Sequence, residues 1–186
     1  MTRVLLTGFE PFGGAALNSS WEAVRLVADG PPDGLKVTVR RLSCVFGRAV
    51  DELSTAVRET GPDLVVHVGQ ADGRSDLGVE RIAINIEDAR IPDNTGRQPV
   101  DRPVVPGGPA AHFATLPVKA CVAAVREAGL PASLSHTAGT FISRPFGGGG
   151  PSPSIGRRSR TPARSTSGRR SGPAVLSDNP PSSPSC

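Results

Sequence analysis

Along the first 142 residues, apolar positions recur with periods that alternate between two and about 3.6. After Ile142 they stop recurring. Val4-Leu5-Leu6 is a short apolar run closed by Thr7-Gly8, which predicts a buried strand. Trp21, Val24 and Ala28 share one face of a predicted helix. Ser19 fits its N-cap, and Glu22 three residues on completes a capping box. Pro31-Pro32-Asp33-Gly34 reads as a turn, and Val37, Val39 and Leu42 alternate as a strand. Val50, Leu53 and Val57 mark a second amphipathic helix, ended by Gly61-Pro62. Leu64-Val65-Val66-His67-Val68 is nearly continuously apolar, as expected for a parallel strand covered on both faces.

The same reading extends to residue 142. Ile82-Ala83-Ile84-Asn85-Ile86 alternates as a strand, and Pro92-Asp93-Asn94-Thr95-Gly96 is a loop. Pro117 opens a third helix with Val118, Cys121, Val122 and Val125 on one face, stopped by Gly129. Ala132-Ser133-Leu134-Ser135 is a further strand leading into residues 136–142. Strands alternating with helices predict an α/β sheet with ligands at the carboxyl ends of the strands. The loops after Leu6, Val68 and Ser135 are therefore the candidate functional loops.

Charge changes the picture once it is divided. Of 21 Lys+Arg and 17 Asp+Glu, seven Arg and one Asp fall after residue 142, leaving 14 against 16 in the body. The basic balance belongs to the tail, so it is no argument for a nucleic-acid-binding body. Residues 143–186 are rich in Ser, Pro, Gly and Arg, a composition that predicts disorder. Cys44, Cys121 and Cys186 are far apart and form no metal-ligand spacing, so neither a metal site nor a disulfide framework is expected. No apolar run is long enough to cross a bilayer, and the N-terminus lacks a signal-peptide core. A cytoplasmic protein with reduced thiols is the default expectation.

Two loops hold candidate chemistry. Thr7-Gly8-Phe9-Glu10-Pro11-Phe12-Gly13-Gly14 allows close backbone approach at its glycines, and Phe9 and Phe12 could wall an apolar pocket. It lacks the Gly-Lys-Ser/Thr ending of a phosphate-binding loop, and two core phenylalanines on a plain turn are the bland alternative. In the second region, Glu80 stands beside apolar strand residues and could orient a histidine. The bland alternative there is a surface Glu-Arg pair at a strand start.

Together these stretches resemble the pyroglutamyl peptidase I (pyrrolidone-carboxylate peptidase) family. The resemblance is carried by Leu5 through Gly14 with Asn18 and Ser20-Trp21-Glu22-Ala23, by Val68-Gly69-Gln70-Ala71, and by Glu80-Arg81-Ile82-Ala83-Ile84-Asn85. It continues through Asp88-Ala89-Arg90-Ile91-Pro92-Asp93-Asn94, Gln98-Pro99-Val100-Asp101, Gly107-Gly108-Pro109-Ala110-Ala111 and Thr137-Ala138-Gly139-Thr140-Phe141. It covers residues 4–142 in family order and none of the tail.

The resemblance implies a three-layer α/β/α sandwich with a mostly parallel sheet, and a cytosolic cysteine exopeptidase that removes N-terminal pyroglutamate from peptides. It implies a Cys nucleophile, a His that moves the proton and an acidic residue that orients the His, with no metal or organic cofactor. Glu80 matches the acidic member. Phe9 and Phe12 match the walls around the lactam ring, Gln70 lies in the loop facing it, Arg90 stands beside the site, and Ile142 ends the turn before the nucleophile. The nucleophile position holds Ser143, and no His follows His136. Smaller departures are Ser19, Cys44, Asp72 and Gly78.

These departures set the functional expectation. Losing nucleophile and base together costs on the order of 10⁶ in kcat, so the chain is expected to be inactive as written. The expected partners are peptides with N-terminal pyroglutamate, with no nucleic acid and no membrane. His67, inside an apolar strand, reads as a packed core histidine, and nothing places His136 as a base. Cys121 reads as core. A frameshift near codon 143 of a GC-rich gene would account for the tail. The alternatives are a non-catalytic pyroglutamyl-peptide binder, a truncated product without function, or a basic tail for an acidic partner. The domain is expected to span residues 1–142 and to be incomplete, because the family continues after the nucleophile with another strand and helices. Missing that segment, the chain is expected to expose a strand edge and to be marginally stable. The family's homo-oligomer is not expected to carry over.

Overall fold

The structure, a computed structural model, describes residues 1–142. Ser143 and the expectations for residues 143–186 lie outside the described residues. Strand β1 (Thr2–Phe9) is the spine, with five consecutive buried residues from Val4 to Gly8. It pairs in parallel with β2 (Leu35–Leu42) on one side and β3 (Leu64–His67) on the other, giving the order β2-β1-β3. Helix α1 (Ser19–Asp29) and helix α2 (Arg48–Thr60) cover opposite faces. Leu5 packs with Leu42, Ala49, Leu53 and Ala56 on the α2 side. On the other side Gly8 lies directly under the start of α1, where a Cβ would stand 2.8 Å from Ser20 O and from Trp21 N and Cα. This is the close backbone approach that requires glycine.

The second half of the described chain is built from shorter pieces. Strand β4 (Leu77–Glu80) pairs in parallel with β7 (Ala132–Ser135), and helix α3 (Val118–Glu127) packs on both. Strands β5 (Ile82–Ile84) and β6 (Ala111–Phe113) form an antiparallel pair. The α/β sandwich with mostly parallel strands is thus as expected. Among the described residues no helix is long and apolar enough to cross a membrane.

Several local expectations change. The N-cap of α1 is Asn18, not Ser19. Asn18 Oδ1 accepts from Ser20 N and Ser20 Oγ while its Nδ2 donates to the Glu10 carbonyl. The amide caps the helix through its oxygen and ties down the preceding loop through its nitrogen, while the Ser19 hydroxyl turns to Gln70 Oε1. Glu22 pairs instead with Arg25 on the helix surface. His67 is not a core residue: it ends β3, is exposed, and its Nδ1 shares a 2.7 Å hydrogen bond with the fully buried Thr7 hydroxyl. Cys121 is only half-buried. Glu80 ends a strand rather than starting one: β4 and β6, of four and three residues, are too short for their periodicity to be seen in the sequence.

Candidate active site

The carboxyl ends of β1 and β7 and the loops beyond them form the candidate site. The loop after β1 is held by one carboxylate. Glu10 Oε1 accepts from Cys44 N at 2.9 Å and from Asn94 Nδ2 at 2.9 Å. Asn94 Nδ2 also reaches the Pro11 carbonyl, and the Glu10 carbonyl accepts from Asn18 Nδ2 and from Cys44 Sγ. Below it, buried Asp93 closes a turn by accepting from Thr95 N, Thr95 Oγ1 and Arg97 N, and its other oxygen accepts from Phe46 N. Burial alone would push the Asp93 pKa up. The hydrogen bonds from Phe46, Thr95 and Arg97 outweigh it and hold the pKa below the usual carboxylate value.

This scaffold positions three aromatic rings. Phe141 stacks against Phe12 with centroids 5.5 Å apart and meets Phe46 edge-on at 5.3 Å. Phe46 is anchored by Asp93 and by Arg97, whose Nη1 donates to the Phe46 carbonyl at 2.8 Å. The structure therefore joins Phe12 to Phe141 and Phe46. Phe9 instead packs, with Val57, Val65 and Ile142, against the Leu5 cluster. The sequence reading missed Phe46, Phe141, Glu10 and Asp93 as site builders. The available signal was a lone carboxylate, Glu10, between two aromatics in a glycine-rich loop.

The turn after β7 is stapled to the segment carrying Arg90. Thr140 Oγ1 donates to the Asp88 carbonyl at 2.6 Å, and Asp88 N donates back to the Thr140 carbonyl. Gly139 N is capped by Thr137 Oγ1. Ile142 then takes φ +47°, the left-handed region that is an outlier for a β-branched residue. Such strain costs of order 1–3 kcal/mol and collects at functional positions. It falls one residue before position 143.

The remaining candidates are placed as follows. Register sets Glu80 opposite Ser135, at the strand end that leads into this turn. Arg74 Nη1 lies 3.3 Å from Glu80 Oε1. A Cβ at position 78 would come within 2.7 Å of Arg74 Nη1, so Gly78 leaves room for this pair. Glu80 Oε2 is buried with no partner among the described residues. Gln70 does not present a free amide: its Oε1 accepts from Ser19 N and Oγ, and its Nε2 donates to Asp72. Arg90 is exposed. Buried Cys44 has its thiol pushed up to about 12 by burial, then by the nearby Glu10 and Asp93 carboxylates. Among the described residues no group of His, Cys, Asp and Glu could hold a metal ion. A cavity lined by Arg3, Lys36, Thr38, Glu59 and Thr60 lies at the amino ends of β1 and β2, away from these loops.

The comparisons with known proteins agree with the fold. Residues 2–145 match the family model described as pyroglutamyl peptidase. The chain is 63% identical over 142 residues to the pyrrolidone-carboxylate peptidase of Streptomyces coelicolor and 57% identical to that of Escherichia fergusonii, covering 76% of this chain and 66% of each relative. It superposes with a TM-score of 0.73 at 43% identity on the crystal structure of Bacillus amyloliquefaciens pyroglutamyl peptidase I, over 76% of this chain and 68% of that one. The Pyrococcus furiosus pyrrolidone carboxyl peptidase gives 0.72 at 44% identity, over 75% and 67%. The chain spans just under two thirds of the length of the curated relatives it matches. With 63% identity over 142 residues and a family-model match over residues 2–145, the chain belongs to the pyroglutamyl peptidase family.

Proposed function

We infer that this chain recognises peptides beginning with pyroglutamate and, with the residues it has, does not release the pyroglutamyl group at an enzymatic rate. Phe12 and Phe141 offer an apolar wall for the lactam ring, and the Glu10 network fixes the loop that holds Phe12 in place. In the family chemistry, a thiolate attacks the pyroglutamyl carbonyl and the amine leaves with a proton from His. Glu80 would keep that His in the right tautomer. Ser143 stands at the thiolate's position, and a serine hydroxyl needs a positioned base to attack.

The observation that carries the inactivity reading is the state of Cys44. Its sulfur is buried, engaged with the Glu10 carbonyl at 3.3 Å and held as a thiol to about pH 12, so it is no substitute nucleophile. A non-catalytic binder and a gene lesion at codon 143 both fit this reading. The same reading takes the protein to be cytoplasmic, cofactor-free and without the family's homo-oligomer.

The test is a titration of the full chain with a pyroglutamyl peptide and with the same peptide starting in Gln, followed by mass spectrometry for cleavage. Saturable binding with about tenfold preference for the lactam (~1.4 kcal/mol) and no product is expected. Equal binding of both peptides would sink the recognition reading. Product formation that Glu80→Gln abolishes would sink the inactivity reading.

A further inference from the structure

The two rings assigned to the lactam, Phe12 and Phe141, give it an apolar wall and no hydrogen bond. A lactam carries a carbonyl acceptor and an N–H donor, and either group is costly to bury unpaired. The side-chain amide of half-buried Gln70, in the loop after β3, is joined to the first turn of α1, where Asn18 also ties the Phe12 loop through the Glu10 carbonyl. Gln70 Oε1 accepts from Ser19 N at 2.9 Å and from Ser19 Oγ at 3.1 Å, and Nε2 donates to Asp72 Oδ1 at 3.1 Å. Chemistry fixes the orientation as firmly as distance does. A backbone N–H only donates and an ionised carboxylate only accepts, so a flipped amide would set donor against donor at Ser19 and acceptor against acceptor at Asp72. Each bond is modest alone, yet two at one end of a planar group and one at the other leave it no rotation. A primary amide has two acceptor and two donor positions. Ser19 and Asp72 take three of the four, and what is left is one hydrogen on Nε2.

We propose that Ser19 and Asp72 are positioning residues that hold Gln70 as a hydrogen-bond donor only, so that Gln70 reads the ring carbonyl of an N-terminal lactam and not its N–H. This deepens the recognition reading above and rests on it. The ring carbonyl is what distinguishes pyroglutamate from proline, whose N-terminal ring presents a cationic donor and no acceptor. A donor-only amide meets the first ring with a hydrogen bond and the second with donor against donor, which is selectivity by an unpaired group. The clamp can be opened without disturbing the helix. Ser19 is the first residue of α1, where proline is favoured, and Asn18 before it is extended at φ −121° and ψ 116°, as a residue preceding proline must be. Ser19→Pro removes both donors to Oε1 and leaves the Asn18 cap in place.

The experiment titrates the full chain with a pyroglutamyl peptide and with its carbocyclic analogue, a cyclic ketone that keeps the ring carbonyl and replaces the ring N–H by a methylene. Gln70→Met should weaken both peptides by a similar factor, about three- to tenfold, because the lost bond goes to the carbonyl they share. Ser19→Pro releases the amide oxygen to accept the ring N–H, so preference for the pyroglutamyl peptide over the analogue should rise about threefold or more. A Gln70→Met loss confined to the pyroglutamyl peptide overturns the proposal, since Gln70 would then be accepting the N–H. So does a loss for neither peptide, or an unchanged preference in Ser19→Pro. Thermal melts of both variants confirm that they fold, and the ratio between the two peptides is insensitive to a merely structural loss.

The clamp also has a readout without ligand. In amide NMR spectra of the chain alone, the two Nε2 hydrogens of Gln70 should be resolved away from the positions that solvent-exposed glutamines share. Ser19→Pro and Asp72→Ala should each move them toward those positions. Gln70 signals at the exposed positions in the parent chain overturn the clamp whatever the titrations show. A clamp seen in the spectra, with no preference of the parent for pyroglutamyl over glutaminyl peptides, sinks the recognition reading instead and takes the carbonyl assignment with it.

Discussion

Glu10 and Glu80 are both carboxylates at the ends of parallel strands, and their surroundings treat them in opposite ways. Around Glu10 the chain converges from three places: Cys44 through both its amide and its thiol, the Asn94 side chain, and Asn18 through the Glu10 carbonyl. Around Glu80, among the described residues, there is one exposed arginine at 3.3 Å, and one oxygen is buried without a hydrogen-bond partner. The β1 region is a finished piece of structure. The β4 region is held in register by Ser135 but remains chemically open. The first strand end is closed by its own hydrogen bonds, and the second keeps a carboxylate oxygen without a described partner.

The sharpest way to break this comparison is with two glycines. In Gly8→Ala the new Cβ meets backbone atoms of Ser20 and Trp21 at 2.8 Å, so helix α1 must move off β1. A loss of about 3 kcal/mol or more is expected in urea unfolding, at the upper end of overpacking effects. In Gly78→Ala the nearest atom is the movable end of Arg74 at 2.7 Å, and the cost should stay within about 0.5 kcal/mol. Similar losses at both positions would mean that the two regions are equally tight.

Glu10→Ala comes next. It strips the acceptor from the buried Cys44 amide and from Asn94, and unpaired donors of that kind cost about 1–3 kcal/mol. Lactam binding should weaken with it, because Phe12 loses its fixed loop. A melt within 1 °C of the parent would show that the network is not what holds the loop.

How much of this was legible beforehand follows from which forces write themselves into a local pattern. The spine strand, helix α2 and helix α3 were readable because burial on one face imposes a period on Leu5, Leu53 and Val122. Strands β4 and β6 were not, since three or four residues carry too few periods. Asn18 lost to Ser19 as the expected cap because both residue types cap well, and the choice is made by the Glu10 carbonyl eight residues away. The role of Asp93 was hidden for the same reason: Phe46, its partner, is 47 positions distant. His67 departs from the expected core residue because an apolar run implies cover on both sides, whereas β3 has one neighbour among the described residues and its last side chain is exposed. Glu80 and Phe12 are candidates by family likeness alone. The aromatic cluster with Phe46 and Phe141 needed the fold.

Smaller effects sharpen the contrast through pH. Asp93 has a native pKa below its ordinary 3.8, so the unfolded chain takes up the proton first and stability falls as pH drops through that value. Cys44 has a native pKa raised from 9.0 to about 12, so its contribution is intact below pH 9 and is lost as pH rises from there toward 12. The same shift predicts roughly 10³-fold less thiolate at pH 8 than an ordinary thiol has. In iodoacetamide labelling, the Cys44 peptide should stay unmodified in the native chain and be modified in urea. Rapid native labelling at Cys44 would show that the β1 region opens far more readily than its packing implies.

The smallest effect belongs to Glu80→Gln, and it is the most discriminating. The substitution removes a charge whose single described partner is a pair with side-chain exposures of 42% and 31%, a class of ion pair usually worth less than about 1 kcal/mol. It also exchanges one unpartnered buried atom for another. Stability should therefore change by no more than about 0.5 kcal/mol, although an acidic group at this position would be indispensable to a working triad. A loss above about 2 kcal/mol would mean that Oε2 already has a strong partner in solution. Glu80 would then be as fully partnered as Glu10, and the contrast between the two strand ends would disappear.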